Sequence, residues 1–327
     1  MKKKIKCSIV GASGYTGGEL LRLLLFHPRV EISQITSETY TGKAVSFIHP
    51  NLRKITDLKF TSINDLKPSD VLFITLPHYR SQEKFSQLKK MAQVVIDLSQ
   101  DFRLDPRFVY GLAELHRAEI KTANYIAGAG CNATAVILGL YPFYKNNLII
   151  PEQTVVEAKI SSSAAGRQLS LGSHHPERSG AVRSYKPTGH RHVAEICHQL
   201  GVKNIHFSAT AIEMVRGILM TAHVFLKNPL TDKDIWNLYR ETYKHEPFIR
   251  IIKQKTGVYR YPEPKLVRGT NYCDIGFEID KETNRVVVMA AIDNLVKGAA
   301  GQVIQAFNLR FGFNETTGLE FPGLHPC

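Results

Sequence analysis

The chain has 327 residues, a formal net charge of +13, and 43% hydrophobic against 22% charged residues. That length suggests two domains or one large one, and that much apolar material excludes a disordered chain. No apolar run reaches the ~18 residues of a membrane span, and the start at Met1-Lys2-Lys3-Lys4 lacks the ~7–15-residue apolar stretch of a secretory signal. The five cysteines (Cys7, Cys131, Cys197, Cys273, Cys327) are odd in number and form no Cys-x-x-Cys. They exclude a disulfide scaffold and a cysteine-based zinc site, and fit a reducing cytoplasm. The positive charge leaves open a nucleic acid, an acidic protein, an anionic small substrate, or a basic surface with no special partner. No RNP, zinc-finger or basic-zipper signature supports nucleic acid.

In chain order, Ile5, Cys7 and Ile9 alternate with polar residues and predict a strand. Glycine-rich residues 11–18 follow, then a leucine-rich helix that stops before Pro28, then a second alternating strand over 30–35. Residues 71–76 and 94–98 are short, apolar and β-branched, as strands of a parallel sheet buried on both faces are, with a crossover helix over 81–92 between them. This alternation to about residue 130 predicts a doubly wound α/β domain of Rossmann type. Beyond residue 150, strands are expected over 155–161, 207–211, 218–226, 274–279 and 286–292, with helices over 133–144, 190–200 and 231–245. That texture predicts an α+β domain on a mostly antiparallel sheet. A last helix over 296–311 is expected to pack back on the first domain. The expected boundaries are 1–131 with 296–327 for the dinucleotide domain, and 132–295 for a catalytic and oligomerisation domain.

Gly11, Gly14 and Gly17 follow the first strand and open a helix. Such glycines permit a tight turn, close approach of a pyrophosphate and close helix–strand packing, while the helix N-terminus offers free amides to phosphate. The alternative is a glycine turn with no ligand. Ser13, Tyr15 and Thr16 complete the expected phosphate contacts. An acidic residue ending the second strand would bind the ribose diol of NAD. Here Ser37 and Thr39 can donate to a 2′-phosphate and Lys43 can neutralise it, so NADP(H) is expected, with Glu38 dissenting.

Cys131 stands in Gly130-Cys131-Asn132-Ala133-Thr134, at the opening of a predicted helix. A thiol there has a depressed pKa, and the thiolate is the nucleophile. A small buried cysteine is the bland alternative, and suits Cys7, Cys197 and Cys273 better. His190, in Gly189-His190-Arg191-His192, is a candidate base, and Glu195 can orient an imidazole or cap the helix. A His-x-His pair can also be a metal site, but no third ligand spacing supports one. Arg103 follows a buried strand, where α/β ligand sites lie, and can grip a phosphate; a salt bridge to Asp101 or Asp105 is the alternative. Ser162 and Arg167, within Ser161-Ser162-Ser163-Ala164-Ala165-Gly166-Arg167, add further anion ligands.

The glycine loop, Asp97-Leu98-Ser99-Gln100-Asp101-Phe102-Arg103, Tyr110-Gly111-Leu112, Gly130-Cys131-Asn132-Ala133-Thr134, Gly189-His190-Arg191-His192 and Asn294-Leu295-Val296-Lys297-Gly298 occur in that order. The chain resembles the N-acetyl-γ-glutamyl-phosphate reductases along essentially its whole length. Gly130-Cys131-Asn132-Ala133-Thr134-Ala135 and Ser173-His174-His175-Pro176-Glu177-Arg178-Ser179 make it look most like the branch acting on substrates joined to the acidic carrier protein LysW. Ala129, Asn132 and Ala133 depart from the Pro-Gly-Cys-Tyr-Pro-Thr usual in the common reductases, which bears on substrate rather than chemistry. Five Arg/Lys and four histidines against one acid between Arg167 and His192 would steer an acidic carrier; the bland reading is a loop for the substrate's own phosphate.

The resemblance implies an NADPH-dependent reduction of an acyl phosphate to a semialdehyde through a thioester on Cys131. It implies His190 as base, with His192 as second candidate, Glu195 as orienter, Arg103 and His192 as phosphate or substrate ligands, and Asn294 as a nicotinamide-side contact. It also implies a homodimer or homotetramer, with no metal, nucleic acid or membrane. Three rivals remain: reduction of free N-acetyl-glutamyl phosphate, a short-chain reductase, and a non-enzymatic NADP sensor or nucleic-acid binder. The second needs a Tyr-x-x-x-Lys dyad, which the first domain lacks.

Overall fold

The computed structural model describes residues 4–326, which divide into two compact units. The first comprises the described residues up to Ala129 together with Ala299–Glu320; the second comprises Gly130–Gly298 and the described residues from Phe321 on. Gly130, Cys131, residues 296–298 and the tail from Phe321 thus group with the second unit, where the sequence expected them in the first.

The first unit is built on β1 (Ile5–Val10), β2 (Val30–Thr36), β3 (Phe60–Thr61), β4 (Ser69–Ile74), β5 (Ala92–Asp97), β6 (Val109–Tyr110) and β7 (Tyr125–Ala127). They form one sheet in the order β3-β2-β1-β4-β5-β7-β6, every neighbouring pair parallel. Helices α1 (Tyr15–Leu24), α2 (Val45–Ile48), α3 (Arg80–Leu88) and α4 (Ala113–Ile120) join the strands. Residues 71–74 and 94–97 are fully buried, as their unbroken apolar runs require of strands covered on both faces. Strand order reverses at β1, so the crevice beyond the carboxyl ends of β1 and β4 is the ligand position of a doubly wound sheet. One core cluster packs Phe85, Phe102 and Phe108 against Val10, Leu72, Ile74 and Val95.

In the second unit, α5 (Cys131–Lys145) leads to β8 (Val155–Ile160), α6 (His175–Arg178), β9 (Val182–Lys186), α7 (Val193–Leu200), β10 (His206–Ile212), β11 (Ile218–Phe225), α8 (Asp232–Tyr243), β12 (Ile249–Ile251), β13 (Cys273–Asp280) and β14 (Arg285–Ile292). The sheet order is β12-β13-β14-β11-β8-β10-β9, and only the pairs β10–β8 and β12–β13 are parallel. Helix α5 is apolar nearly all round and is buried along its length, as such a helix must be. Pro142 within it has no N–H for the Leu138 carbonyl, and the Tyr243 hydroxyl of α8 donates to that carbonyl instead at 2.7 Å. Gly139 lets the sheet approach, since a Cβ there would lie 2.5 Å from Met220 Cε. After a π-helical turn at Val296–Ala300 comes the last helix, α9 (Gly301–Arg310), a buried helix of the first unit that lies against α1 and α4. The π-turn replaces the start of the single helix expected over 296–311.

Candidate active site

The glycine loop lies between β1 and α1 and its glycines are there for different reasons. Gly11 has φ +83°, a left-handed conformation, and a Cβ on it would meet the Thr75 carbonyl oxygen at 3.0 Å. A Cβ on Gly17 would lie 2.6 Å from Ala12 Cα, so the helix–strand contact excludes one. Gly14 precedes α1, where a Cβ would meet only the Gly11 carbonyl oxygen, at 4.0 Å; no side chain caps the helix, and its first turn carries no acid. The amides of Tyr15, Thr16 and Gly17 therefore suit a phosphate, and the cradle fits a dinucleotide. Ser37, buried at the end of β2, donates from its hydroxyl to Ser13 Oγ at 2.9 Å. Thr39 and Lys43 are exposed just beyond. The Glu38 carboxylate accepts the Ile63 amide at 2.8 Å. The acid that dissented from NADP is thus engaged in closing a turn. His49, which sequence reasoning passed over, is buried and donates to the Ala12 carbonyl at 2.9 Å, supporting the loop from behind.

For Arg103, the alternative of a salt bridge to Asp101 or Asp105 meets carboxylates that are engaged elsewhere. The Arg103 Nε donates to the Gly128 carbonyl at 2.9 Å, while Asp105 is gripped by Arg107 and Asp101 accepts the amides of Tyr79 and Gln82 around the start of α3. Asp97, at the end of β5, accepts both the amide and the hydroxyl of Ser99, yet burial raises its pKa to about 6.

Cys131 is the first residue of α5 and half-buried. No side chain caps this helix and no acid lies in its first turn. Cys7 and Cys273 are fully buried, and burial raises the thiol pKa of Cys7 and of Cys197, so these are inert by comparison. Glu195, in the first turn of α7, is buried and accepts the Gly130 amide at 3.0 Å, fixing the residue before the cysteine. It also faces His192 Nε2 at 3.9 Å. Of the two imidazoles, the one that Glu195 faces is therefore that of His192. Helix α7 begins at Val193 rather than at 190, which leaves His190 in the preceding turn. The His192 amide donates to His190 Nδ1 at 3.1 Å, and Asn132 Nδ2 lies 3.5 Å from His190 Nε2. Burial, then the nearby Arg191 and Lys186 charges, lower the His190 pKa to about 4. Its ring stands edge-on to Tyr185, whose own pKa is raised by burial and next by Cys131. Cys131, Asn132, Tyr185, His190, His192 and Glu195 thus converge on the opening of α5.

A second cluster sits in the same unit. Asn294 is buried; its Oδ1 accepts the Gly217 amide at 2.8 Å and the Ser161 hydroxyl at 3.1 Å, and its Nδ2 donates to Ser163 Oγ at 2.9 Å. Ser162 is held through its amide by the Met214 carbonyl, whereas Arg167 lies exposed on the following loop. Asp293, fully buried, pairs with Arg216. Gly298 packs on Cys131: a Cβ there would lie 2.8 Å from Cys131 Cβ. Sequence reasoning had taken Asn132 only as bearing on substrate and had passed over Tyr185 and Gly298 at this cluster; the one signal for Gly298 was its place in the small-residue run 298–301. No cluster of histidine, cysteine or acidic residues able to hold a metal exists among the described residues.

The model of the semialdehyde dehydrogenase NAD-binding domain matches residues 6–123, and that of the semialdehyde dehydrogenase dimerisation domain matches 131–294. The chain belongs to the semialdehyde dehydrogenase family. Within it, a LysW-L-2-aminoadipate 6-phosphate reductase of Deinococcus radiodurans is 46% identical over 99% of both chains. A LysW-L-2-aminoadipate/LysW-L-glutamate phosphate reductase of Saccharolobus solfataricus is 44% identical over the whole of both. These relatives bear out the resemblance drawn from the motifs. An aspartate semialdehyde dehydrogenase II of Vibrio cholerae, crystallised with ASA, superposes with a TM-score of 0.77 over 95% of this chain and 99% of its own at 15% identity, which establishes a shared fold. This member of the family is an oxidoreductase whose first unit is its NAD-binding domain, and no helix among the described residues is long and apolar enough to cross a membrane.

Proposed function

We propose that this chain reduces the side-chain acyl phosphate of a LysW-linked amino acid, 2-aminoadipate, glutamate or both, to the semialdehyde, with NADPH as reductant. The observation that carries the reading is Cys131 at the open end of α5, with the Gly130 amide tied to Glu195 and two histidines beside it. The Cys131 sulfur attacks the acyl carbonyl and phosphate leaves, forming a thioester. A thioester accepts hydride far more readily than a carboxylate, which is why a cysteine and an activating phosphate belong together. Bound at the glycine loop, the reduced nicotinamide supplies that hydride. The uncapped amides of α5 stabilise the negative oxygen at both tetrahedral stages. The thiohemiacetal then releases the aldehyde and restores the sulfur. Arg103, Ser162, Arg167 and His192 are the proposed phosphate and substrate ligands. Asn294 holds the loop at 161–163 in place, and toward the cofactor it is proposed as a nicotinamide-side contact.

The carrier-linked substrate is supported by the names of the relatives and by exposed Arg167, Lys186 and Arg191, a basic rim suited to an acidic carrier. Ser13, Ser37, Thr39 and the engagement of Glu38 elsewhere favour NADP over NAD. We also propose a homodimer or homotetramer working in the cytoplasm. On β11 and β14, Thr221 pairs with Met289 and His223 with Val287. These half-buried residues alternate with Met220, Val288 and Ala290, which face α5. They thus line a sheet face that α5 leaves open, where a second copy would seat.

Steady-state rates with carrier-linked 2-aminoadipyl phosphate, carrier-linked glutamyl phosphate and free N-acetyl-glutamyl phosphate test the substrate. The carrier-linked rates should dominate and fall with added salt, which screens the rim; equal turnover of the free compound would overturn the assignment. Cys131→Ser should bind NADPH normally and lose nearly all turnover, and a near wild-type rate removes Cys131 from the scheme.

A further inference from the structure

We propose that His190 carries its proton on Nε2 and serves the reaction as a hydrogen-bond donor to the substrate oxygen, with Asn132 as the acceptor that holds this ring until substrate arrives. The inference deepens the function proposed above and rests on it. The His192 amide donates to His190 Nδ1 at 3.1 Å. That nitrogen keeps its lone pair, so a neutral ring has its proton on Nε2. Asn132 is buried, its Nδ2 lies 3.5 Å from Nε2, and its Oδ1 has no hydrogen-bond partner among the described residues. Two N–H groups facing one another gain nothing. Turning the amide over, which leaves its shape unchanged, puts Oδ1 against Nε2–H and removes the clash of two N–H groups, while Nδ2 takes the place in which Oδ1 had no partner. His190 is buried against Phe207 and flanked by Tyr185, Lys186, Arg191 and His192, and the lysine and arginine charges disfavour a second proton.

A ring in this state has no lone pair with which to take the thiol proton, so His190 is not the base for Cys131. When sulfur adds to the acyl phosphate, the carbonyl π pair moves to oxygen and Nε2–H bonds to it. The pair then returns, the bond to phosphate breaks, and phosphate departs with the proton the thiol gave up. After hydride adds to the thioester, the same donor holds the same oxygen until the C–S bond breaks and the carbonyl reforms. The His190 proton stays on Nε2 throughout.

The glutamine amide nitrogen reaches the position of imidazole Nε2 and donates but takes no proton from a thiol. His190→Gln should therefore keep kcat within about tenfold of wild type, whereas His190→Ala loses about 10²–10³. The pH profile of Cys131 alkylation by iodoacetamide, read on the Cys131 peptide by mass spectrometry, should keep its inflection in both variants. Long-range nitrogen–proton NMR of the unsubstituted enzyme should show His190 protonated at Nε2. A proton on Nδ1, an alkylation inflection moved upward in both variants, or a glutamine variant as inactive as the alanine one would each overturn the proposal. Alkylation and NMR need no substrate, so they stand even if the carrier-linked assignment fails.

Discussion

Gly298→Ala tests how tightly Cys131, the proposed nucleophile, is seated. The added Cβ would lie 2.8 Å from Cys131 Cβ, 3.2 Å from Cys131 Cα and 3.3 Å from Ile292 Cδ1. Against an optimum carbon–carbon separation of about 3.5–4.0 Å, the first contact is short by roughly 0.7–1.2 Å. Neither Cys131 atom can rotate away, because both are fixed by the backbone at the start of α5. The opening of α5 or the turn at 296–298 must move by more than half of that shortfall. A misplacement near 1 Å costs about 100-fold in rate, so kcat should fall about 10–100-fold. Overpacking of this kind costs about 1–3 kcal/mol, which lowers Tm by roughly 2–12 °C for a unit of this size. The cradle for NADPH is built from other residues and its Kd should not change. Steady-state kinetics, calorimetry and NADPH titration read the three quantities. Wild-type kcat together with wild-type Tm would refute the reasoning.

Glu38→Ala should lower stability by about 0.5–1.5 kcal/mol, the worth of the lost acceptor for the Ile63 amide, without changing the preference for NADPH; a switch in cofactor preference in NADH and NADPH kinetics would return Glu38 to the cofactor. Arg216→Ala removes the partner of buried Asp293, but that carboxylate keeps the amides of Gly269, Leu295 and Val296, and Arg216 is a quarter exposed. Urea denaturation should register a loss of about 1–3 kcal/mol, below the ~3–5 of a fully buried pair, and no loss would contradict the pairing. The pH dependence of stability carries a sign for His190. Its folded pKa of about 4 lies below the ordinary 6.5, so the unfolded ring takes its proton first. The contribution is complete above about pH 6.5 and is lost as pH falls through 4, roughly 3 kcal/mol in all. Asp97, raised to about 6, acts in the opposite sense, stabilising below its unfolded value and withdrawing as pH rises through 6. The difference between wild type and His190→Gln therefore isolates the histidine, and parallel curves from pH 7 to 4 would contradict the burial argument.

Much of the fold was legible because short-range pattern and burial coincide. Strands β4, β5, β11 and β14, each largely apolar, match their expected spans closely. Strand β9 was missed because all five of its residues are exposed at a sheet edge, so no face had to be apolar. Helix α7 starts three residues late because His190 and His192 are used in a turn that places their side chains, and periodicity carries no record of that.

What the sequence determined alone was whatever depends on neighbours along the chain. The glycine spacing at 11, 14 and 17, a cysteine at a helix opening, and the shift from helix-alternating strands to hairpin-rich ones are all local. Only the tertiary structure decided which groups meet across long separations. It set Glu195 on the Gly130 amide, Glu38 on Ile63, Asn294 on the loop at 161–163, and Gly298 against Cys131. Hydrogen bonds and steric contacts act over about 3 Å through space, and a linear pattern does not say which distant residues the packed core brings within that reach.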